Sequence, residues 1–197
     1  MLTLEQGKKL VDLARNSIVS YFKKDILKAN GSLKKEFSEL TGCFVTIYKG
    51  NVLRGCIGFP EPIYPLYKGI IKAASEAAFG DPRFPPLSKQ EFPQIRIEIS
   101  VLTPPRLLHV RNPEEYSQLI RIGKDGLVVR GTYNSGLLLP QVAVDHKWDF
   151  KTFLNQTCLK AGMDMDSWQN FDECRVYRFQ SEVFDEKIPN GAINKKL

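Results

Sequence analysis

The chain has 197 residues, 43% of them hydrophobic, and a formal net charge of +6. A chain of this size buries roughly 70% of its unfolded surface, so it folds without a metal or a disulfide. No apolar run approaches the ~20 residues of a membrane span and no basic-then-apolar leader opens the chain. These features predict a cytoplasmic protein with one domain over 1–197, room for a small sub-lobe, and a loosely packed tail over 183–197.

In chain order, Thr3-Leu4-Glu5-Gln6 reads as a capping box, and Leu10, Ala14, Ser17, Ile18, Tyr21 and Phe22 follow at helical spacing. That first helix is expected to end near Asn30-Gly31. Residues 44–48 and 52–58 read as strands joined at Gly50-Asn51, a two-residue hairpin signal. The simplest register sets Lys49 opposite Val52, Ile47 opposite Arg54 and Val45 opposite Cys56. It also places Cys43 diagonally from Cys56. Both faces of this hairpin are largely apolar, so both should be covered. Pro65 opens a helix carrying Leu66, Ile70, Ala74, Ala77 and Ala78, and Gly80 stops it. Asp81-Pro82-Arg83-Phe84-Pro85-Pro86 is a stiff, non-helical loop, and Ser88 with Glu91 can cap one short turn. Residues 95–101 form the cleanest strand: Ile95, Ile97, Ile99 and Val101 point one way, and Arg96, Glu98 and Ser100 the other. Asn112 starts a short helix, 126–130 and 137–139 are short strands, and Pro140 begins a helical turn. Asp149 caps a helix that ends at Gly162, and 175–179 is a last strand. Hairpins without regular strand–helix alternation predict an α+β fold with a mixed or antiparallel sheet.

The four cysteines, at 43, 56, 158 and 174, form no Cys-x-x-Cys pair, and His109 and His146 are far apart in sequence. This argues against zinc, and a cytoplasmic location implies reduced thiols. The sequence names no cofactor. Positive charge suits an anionic partner, but no nucleic-acid motif accompanies it, and part of it sits in Lys34-Lys35 and the terminal Lys195-Lys196, so nucleic acid is disfavoured.

The stretch Leu53-Arg54-Gly55-Cys56-Ile57-Gly58 carries the strongest hint of a site. Residues two apart in a strand project to one face, so Arg54 and Cys56 should stand together. A guanidinium beside a thiol favours the nucleophilic thiolate, and Gly55 and Gly58 keep the flanks clear of bulk. The opposing reading is a small buried cysteine next to an arginine paired internally. Asp81 and Arg83 in the stiff loop are either ligand wall or an ion pair. Glu98 is either a general base or the partner of Arg54 or Arg96. Asp145-His146 would complete a nucleophile system only if His146 met Cys56 in space. Cys158 lies on the apolar stripe of its helix. Tyr133 and Trp148 are either ligand-stacking or core.

Several segments together resemble the AMMECR family, named for a chromosomal region linked to Alport syndrome, midface hypoplasia and elliptocytosis. They are Gly42-Cys43-Phe44-Val45-Thr46, the Leu53–Gly58 stretch, Asp81 to Leu87, Glu98 to Leu102, Leu139 to Ala143, and Trp148-Asp149. They occur in the family's order over most of residues 4 to 182. The resemblance implies a mostly antiparallel sheet flanked by helices, with a smaller lobe. It also implies association with Memo-like and radical-SAM proteins in one system. Two departures are Phe59 after Gly58, where the human-type motif has Gly-Thr, and Gln141, where a glutamate commonly follows Leu-Pro; the second removes a carboxylate. The combined expectation is a small-molecule enzyme or ligand-binding protein with Cys56 as candidate nucleophile. Arg54, Gly55, Gly58, Asp81, Arg83 and Glu98 line its site for a small, anionic ligand. The alternatives are a protein-interaction module and, third, nucleic-acid binding.

Overall fold

The computed structural model describes residues 1–25 and 27–196. Its helices are α1 (Leu4–Phe22), α2 (Gly31–Glu36), α3 (Leu66–Phe79), α4 (Tyr116–Leu119), α5 (Pro140–Asp145) and α6 (Phe150–Lys160). Its strands are β1 (Cys43–Lys49), β2 (Val52–Phe59), β3 (Ile95–Leu102), β4 (Arg106–Leu107), β5 (Asp125–Arg130), β6 (Ser135–Leu138), β7 (Arg175–Glu186) and β8 (Ile193–Lys196). The fold is α+β with antiparallel pairing. None of the described helices is long and apolar enough to cross a membrane. The chain packs as two compact units, residues 1–102 with 182–197, and residues 103–181.

In the first unit, the Thr3 hydroxyl accepts from the Gln6 N–H while the Gln6 side chain accepts from the Thr3 N–H, closing the expected capping box. Leu10, Val11, Ala14 and Ile18 form the buried stripe of α1. The helix ends at Phe22 and not near Asn30. Asn30 instead starts α2, its side chain accepting from the Leu33 N–H, because asparagine satisfies an orphan amide at an N-cap better than it serves a helix interior. β1 lies between β2 and β3. Val45, Ile47, Ile95, Ile97 and Ile99 are fully buried in one core with Leu10, Val11, Ile70 and Ala74 from α1 and α3. Pro65 and Gly80 bound α3 as the sequence predicts. β2 is an edge strand, and its residues are mostly half-buried. It is therefore not covered on both faces.

The expected loose tail over 183–197 is also corrected for its described part. β7 runs on to Glu186, β8 pairs with it, and Phe184 is fully buried. The Lys195 ammonium donates to the Leu2 carbonyl at 2.7 Å and to Glu182 Oε1 at 2.6 Å. Lysine-rich composition conceals this strand, because its two lysines are held by carboxylates and Ile193 packs on the core only in part.

The second unit pairs β5 with β6 and with the start of β7, and β4 with β7. Leu127, Val129, Phe153, Leu154, Cys158 and Trp168 are buried in its core. Asp149 caps α6 through the Thr152 N–H, and Gly162 takes φ +72° just beyond its end.

Candidate functional site

A one-residue slip in the β1–β2 hairpin shapes the site. Lys49 faces Val52 and Tyr48 faces Leu53, but the ladder then skips Arg54: Ile47 faces Gly55, Thr46 faces Cys56 and Val45 faces Ile57. Arg54 is the extra residue of a β-bulge. The simple register would have aligned Arg54 and Cys56 with the fully buried Val45 and Ile47, setting a guanidinium in hydrocarbon. The bulge puts Gly55 there, against α3, where a Cβ would lie 2.0 Å from the Ala77 carbonyl oxygen. A one-residue shift inverts the faces of everything beyond it.

The expected sharing of a face by Arg54 and Cys56 through strand alternation is thus broken. The diagonal Cys43–Cys56 pairing fails for the same reason. Cys43 is fully buried beneath α3, where a Cβ on Gly69 would meet its sulfur at 2.9 Å, and burial pushes its thiol up to about 12. Cys56 is half-buried on the opposite side, and its Sγ accepts from the Thr46 hydroxyl at 3.3 Å. Gly58 leaves room for the Phe44 ring.

Asp81 and Arg83 hold the backbone of Cys56 from the outer edge of β2. The Cys56 N–H donates to Asp81 Oδ2 at 2.8 Å, and Arg83 Nη2 donates to the Cys56 carbonyl at 3.1 Å. The two side chains pair with each other through Nε to Oδ1 at 2.9 Å and Nη2 to Oδ2 at 2.7 Å. Arg83 hydrogen bonding, with the Cys56 amide, holds the Asp81 carboxyl well below the usual carboxylate range. The Asp81 side chain is buried, but that of Arg83 is 55% exposed, and none of these bonds uses its Nη1. The loop so caps the exposed edge of β2 and leaves a cation facing solvent beside Cys56.

Arg54 is engaged elsewhere. Its Nε and Nη2 donate to Glu91 at 3.1 and 3.2 Å. Glu91 also closes the Ser88 turn, accepting from the Ser88 N–H and hydroxyl. Arg54, then Ser88, lower the Glu91 carboxyl to about 2. Glu98 does not pair with Arg54 or Arg96, the partners the sequence suggested; it pairs with Lys196, Nζ to Oε2 at 2.5 Å. Arg96 instead donates to the Gly50 and Glu186 carbonyls.

Both lowered carboxyl groups titrate below their ordinary values of 3.8 and 4.5 when folded. Their contribution is therefore present above about pH 4.5 and lost as pH falls toward 2. For Glu91, a drop from 4.5 to about 2 corresponds to about 3 kcal/mol at most. Urea unfolding at pH 7 and pH 3 should show the loss, and the paired Asp81→Asn and Glu91→Gln changes should flatten it. An unchanged slope in that double variant contradicts the assignment.

The second unit holds the other candidates. His146 is exposed and stacks on Trp148 with ring centroids 4.7 Å apart. Tyr133 is not core but almost fully exposed. Cys158 and Cys174 are buried. Among the described residues no three His, Cys, Asp or Glu side chains gather as metal ligands. Sequence reasoning missed Thr46 as the sulfur's neighbour, because that contact depends on the bulge. It read Glu91 only as a turn cap, and nothing in the sequence pointed to Lys196.

The family model for AMMECR1 matches residues 11–184. A protein of Methanopyrus kandleri is 48% identical over 198 residues, covering 99% of this chain and 95% of its own length. One of Methanocaldococcus jannaschii is 45% identical over 202 residues, covering 100% and 98%. The crystal structure of a Pyrococcus horikoshii protein superimposes with a TM-score of 0.87 at 45% identity, covering 96% of each chain. Motif order, fold and whole-length identity agree: this chain belongs to the AMMECR1 family.

Proposed function

We propose that the protein binds a small anionic molecule beside Cys56 and uses that thiol as a nucleophile. The observation that carries this reading is a cysteine that is only partly buried and whose backbone is fixed on both its N–H and its C=O by one ion pair. Fixing the main chain orients the sulfur, and the Thr46 hydroxyl sets its direction. The exposed part of Arg83 supplies the charge that recognises an anion, which is the role the sequence had given to Arg54. Arg54, with Glu91, acts as a support for the bulge.

Alkylation tests the proposal. Iodoacetamide at neutral pH should label Cys56 at least about tenfold faster than the three buried cysteines, since reactivity follows thiolate access. Small anions that occupy the site should slow it. A Cys56 that stays unmodified in the native protein overturns the nucleophile.

A protein-docking role is the second reading. Leu40 and Ile63 are both more than half exposed on adjoining segments, joined through the Leu40–Pro65 bridge and the bond from the Thr41 N–H to the Tyr64 carbonyl. Cys56→Ser separates the two readings, abolishing thiol chemistry and sparing docking.

A further inference from the structure

The second unit, residues 103–181, holds a cleft that the thiol reading does not use. β4 runs beside β7 for two residues only. The Leu108 N–H still donates to the Val176 carbonyl at 2.9 Å. The chain then leaves the strand, and the Arg111 N–H turns to Glu115 Oε2 at 2.9 Å. Between the departing segment and the start of β7 lies a cleft of about 350 Å³. Leu107, Val110 and Phe171 give it apolar walls, His109 and Arg175 are its exposed polar residues, and Tyr116 borders it from the core. Among the described residues, no Asp or Glu lines it. That size and mixture suit a small molecule.

Tyr116 is the informative residue. It is 2% exposed, and its ring is held edge-on by Trp168 and Phe171. Among the described residues, nothing hydrogen-bonds to its hydroxyl. That hydroxyl is nevertheless not sealed, since Asp185 Oδ1 is the one buried side-chain oxygen or nitrogen among them without a partner. The hydroxyl therefore reaches open space, and the cleft is the space that Tyr116 borders. A buried tyrosine ordinarily finds a partner for its O–H, so this donor is left for something that enters. Burial pushes the hydroxyl up to about 12, so at neutral pH it keeps its proton and donates. Arg175 works against that push, as a nearby cation does. Its Nη1 donates to the Phe171 carbonyl, which holds the guanidinium at the cleft, and among the described residues no carboxylate pairs with it.

We infer that this cleft binds a small monocarboxylate with an apolar body: Arg175 and the Tyr116 hydroxyl donate to the carboxylate, and the body lies against Leu107, Val110 and Phe171. Two donors, one of them cationic, favour a charged acceptor over a neutral one, because the charge strengthens both bonds. The site goes beyond the thiol reading and needs nothing from Cys56.

The test titrates sodium phenylacetate into the protein by calorimetry, against phenylacetamide and sodium acetate at matched ionic strength. Phenylacetate should bind at least about tenfold more tightly than either, since the amide lacks the charge and acetate lacks the ring. Tyr116→Phe should weaken it about tenfold and leave the thermal midpoint unchanged, because the hydroxyl it removes has no partner in the protein. Arg175→Met should weaken it by at least as much. Cys56→Ser and Arg83→Met should leave this binding in place, which separates it from an anion held beside Cys56. Binding that is lost in those two variants and kept in Tyr116→Phe puts the anion at the thiol and overturns the inference. Equal affinity for phenylacetate and phenylacetamide overturns it as well, as does the absence of saturable binding. A lowered midpoint in Tyr116→Phe would reveal a partner inside the protein and remove the free donor. The three-ligand comparison uses the unchanged protein, so it decides even if Arg175→Met does not fold.

Discussion

Gly55→Ala should destabilise the first unit by about 3 kcal/mol, a loss readable as a lowered urea midpoint. A Cβ at this position would lie 2.0 Å from the Ala77 oxygen and 3.0 Å from its carbonyl carbon. These are main-chain atoms inside α3, so no side-chain rotation relieves the clash. Either α3 lifts from the sheet or β2 abandons its bulged register. The first opens the core around Val45 and Ala74, and the second returns Arg54 to the buried face. The variant should therefore also change the accessibility of Cys56. Gly31→Ala is the matched control, because a Cβ there meets nothing within 4 Å. It should leave stability equal or slightly raised. A Gly55→Ala midpoint within about 0.5 kcal/mol of the unchanged protein would show that the close approach to α3 does not hold in solution.

The second large effect is expected at Glu186. Its carboxylate accepts from Arg15 Nε at 2.7 Å, Arg15 Nη2 at 2.6 Å and the Ile97 N–H at 2.8 Å. Both side chains are nearly buried, and Arg15 also donates to the Ile95 carbonyl. The group ties α1, β3 and the end of β7 together inside the first unit. Glu186→Gln keeps the shape but leaves a buried guanidinium without its counter-charge, which costs about 3–5 kcal/mol. Replacing both partners, Arg15→Met with Glu186→Leu, should recover most of that loss. The penalty lies in the stranded charge and not in the absence of the pair. Denaturant midpoints for the three proteins check this. A double variant as unstable as Glu186→Gln alone would mean that the hydrogen bonds to the strand backbone, and not the charge balance, are what matters.

The elements that depend on local signals were legible. Thr3 and Gln6 satisfy each other's backbone amides, Pro65 and Gly80 bound α3, and Asp149 caps α6. Alternation in β3 correctly set its isoleucines in the core. The candidate site was legible in part. Cys56, Asp81 and Arg83 do converge, because the motif and the stiff loop are both local features and need only one contact to meet. The partners of Arg54 and Glu98 were not legible. Glu91 lies 37 residues from Arg54 and Lys196 lies 98 from Glu98, and alternation carries no information about which charge the chain will bring alongside.

The amino-acid order by itself determined the α+β class, the hairpin, most helix ends and the family, since each rests on neighbours within a few positions or on motifs read in series. Only the tertiary structure decided which way Cys56 faces. A bulge costs one residue of register, and the sequence pattern on either side is apolar enough to accept both faces. The choice was made by the Ala77 carbonyl, which lies far along the chain and admits nothing larger than glycine.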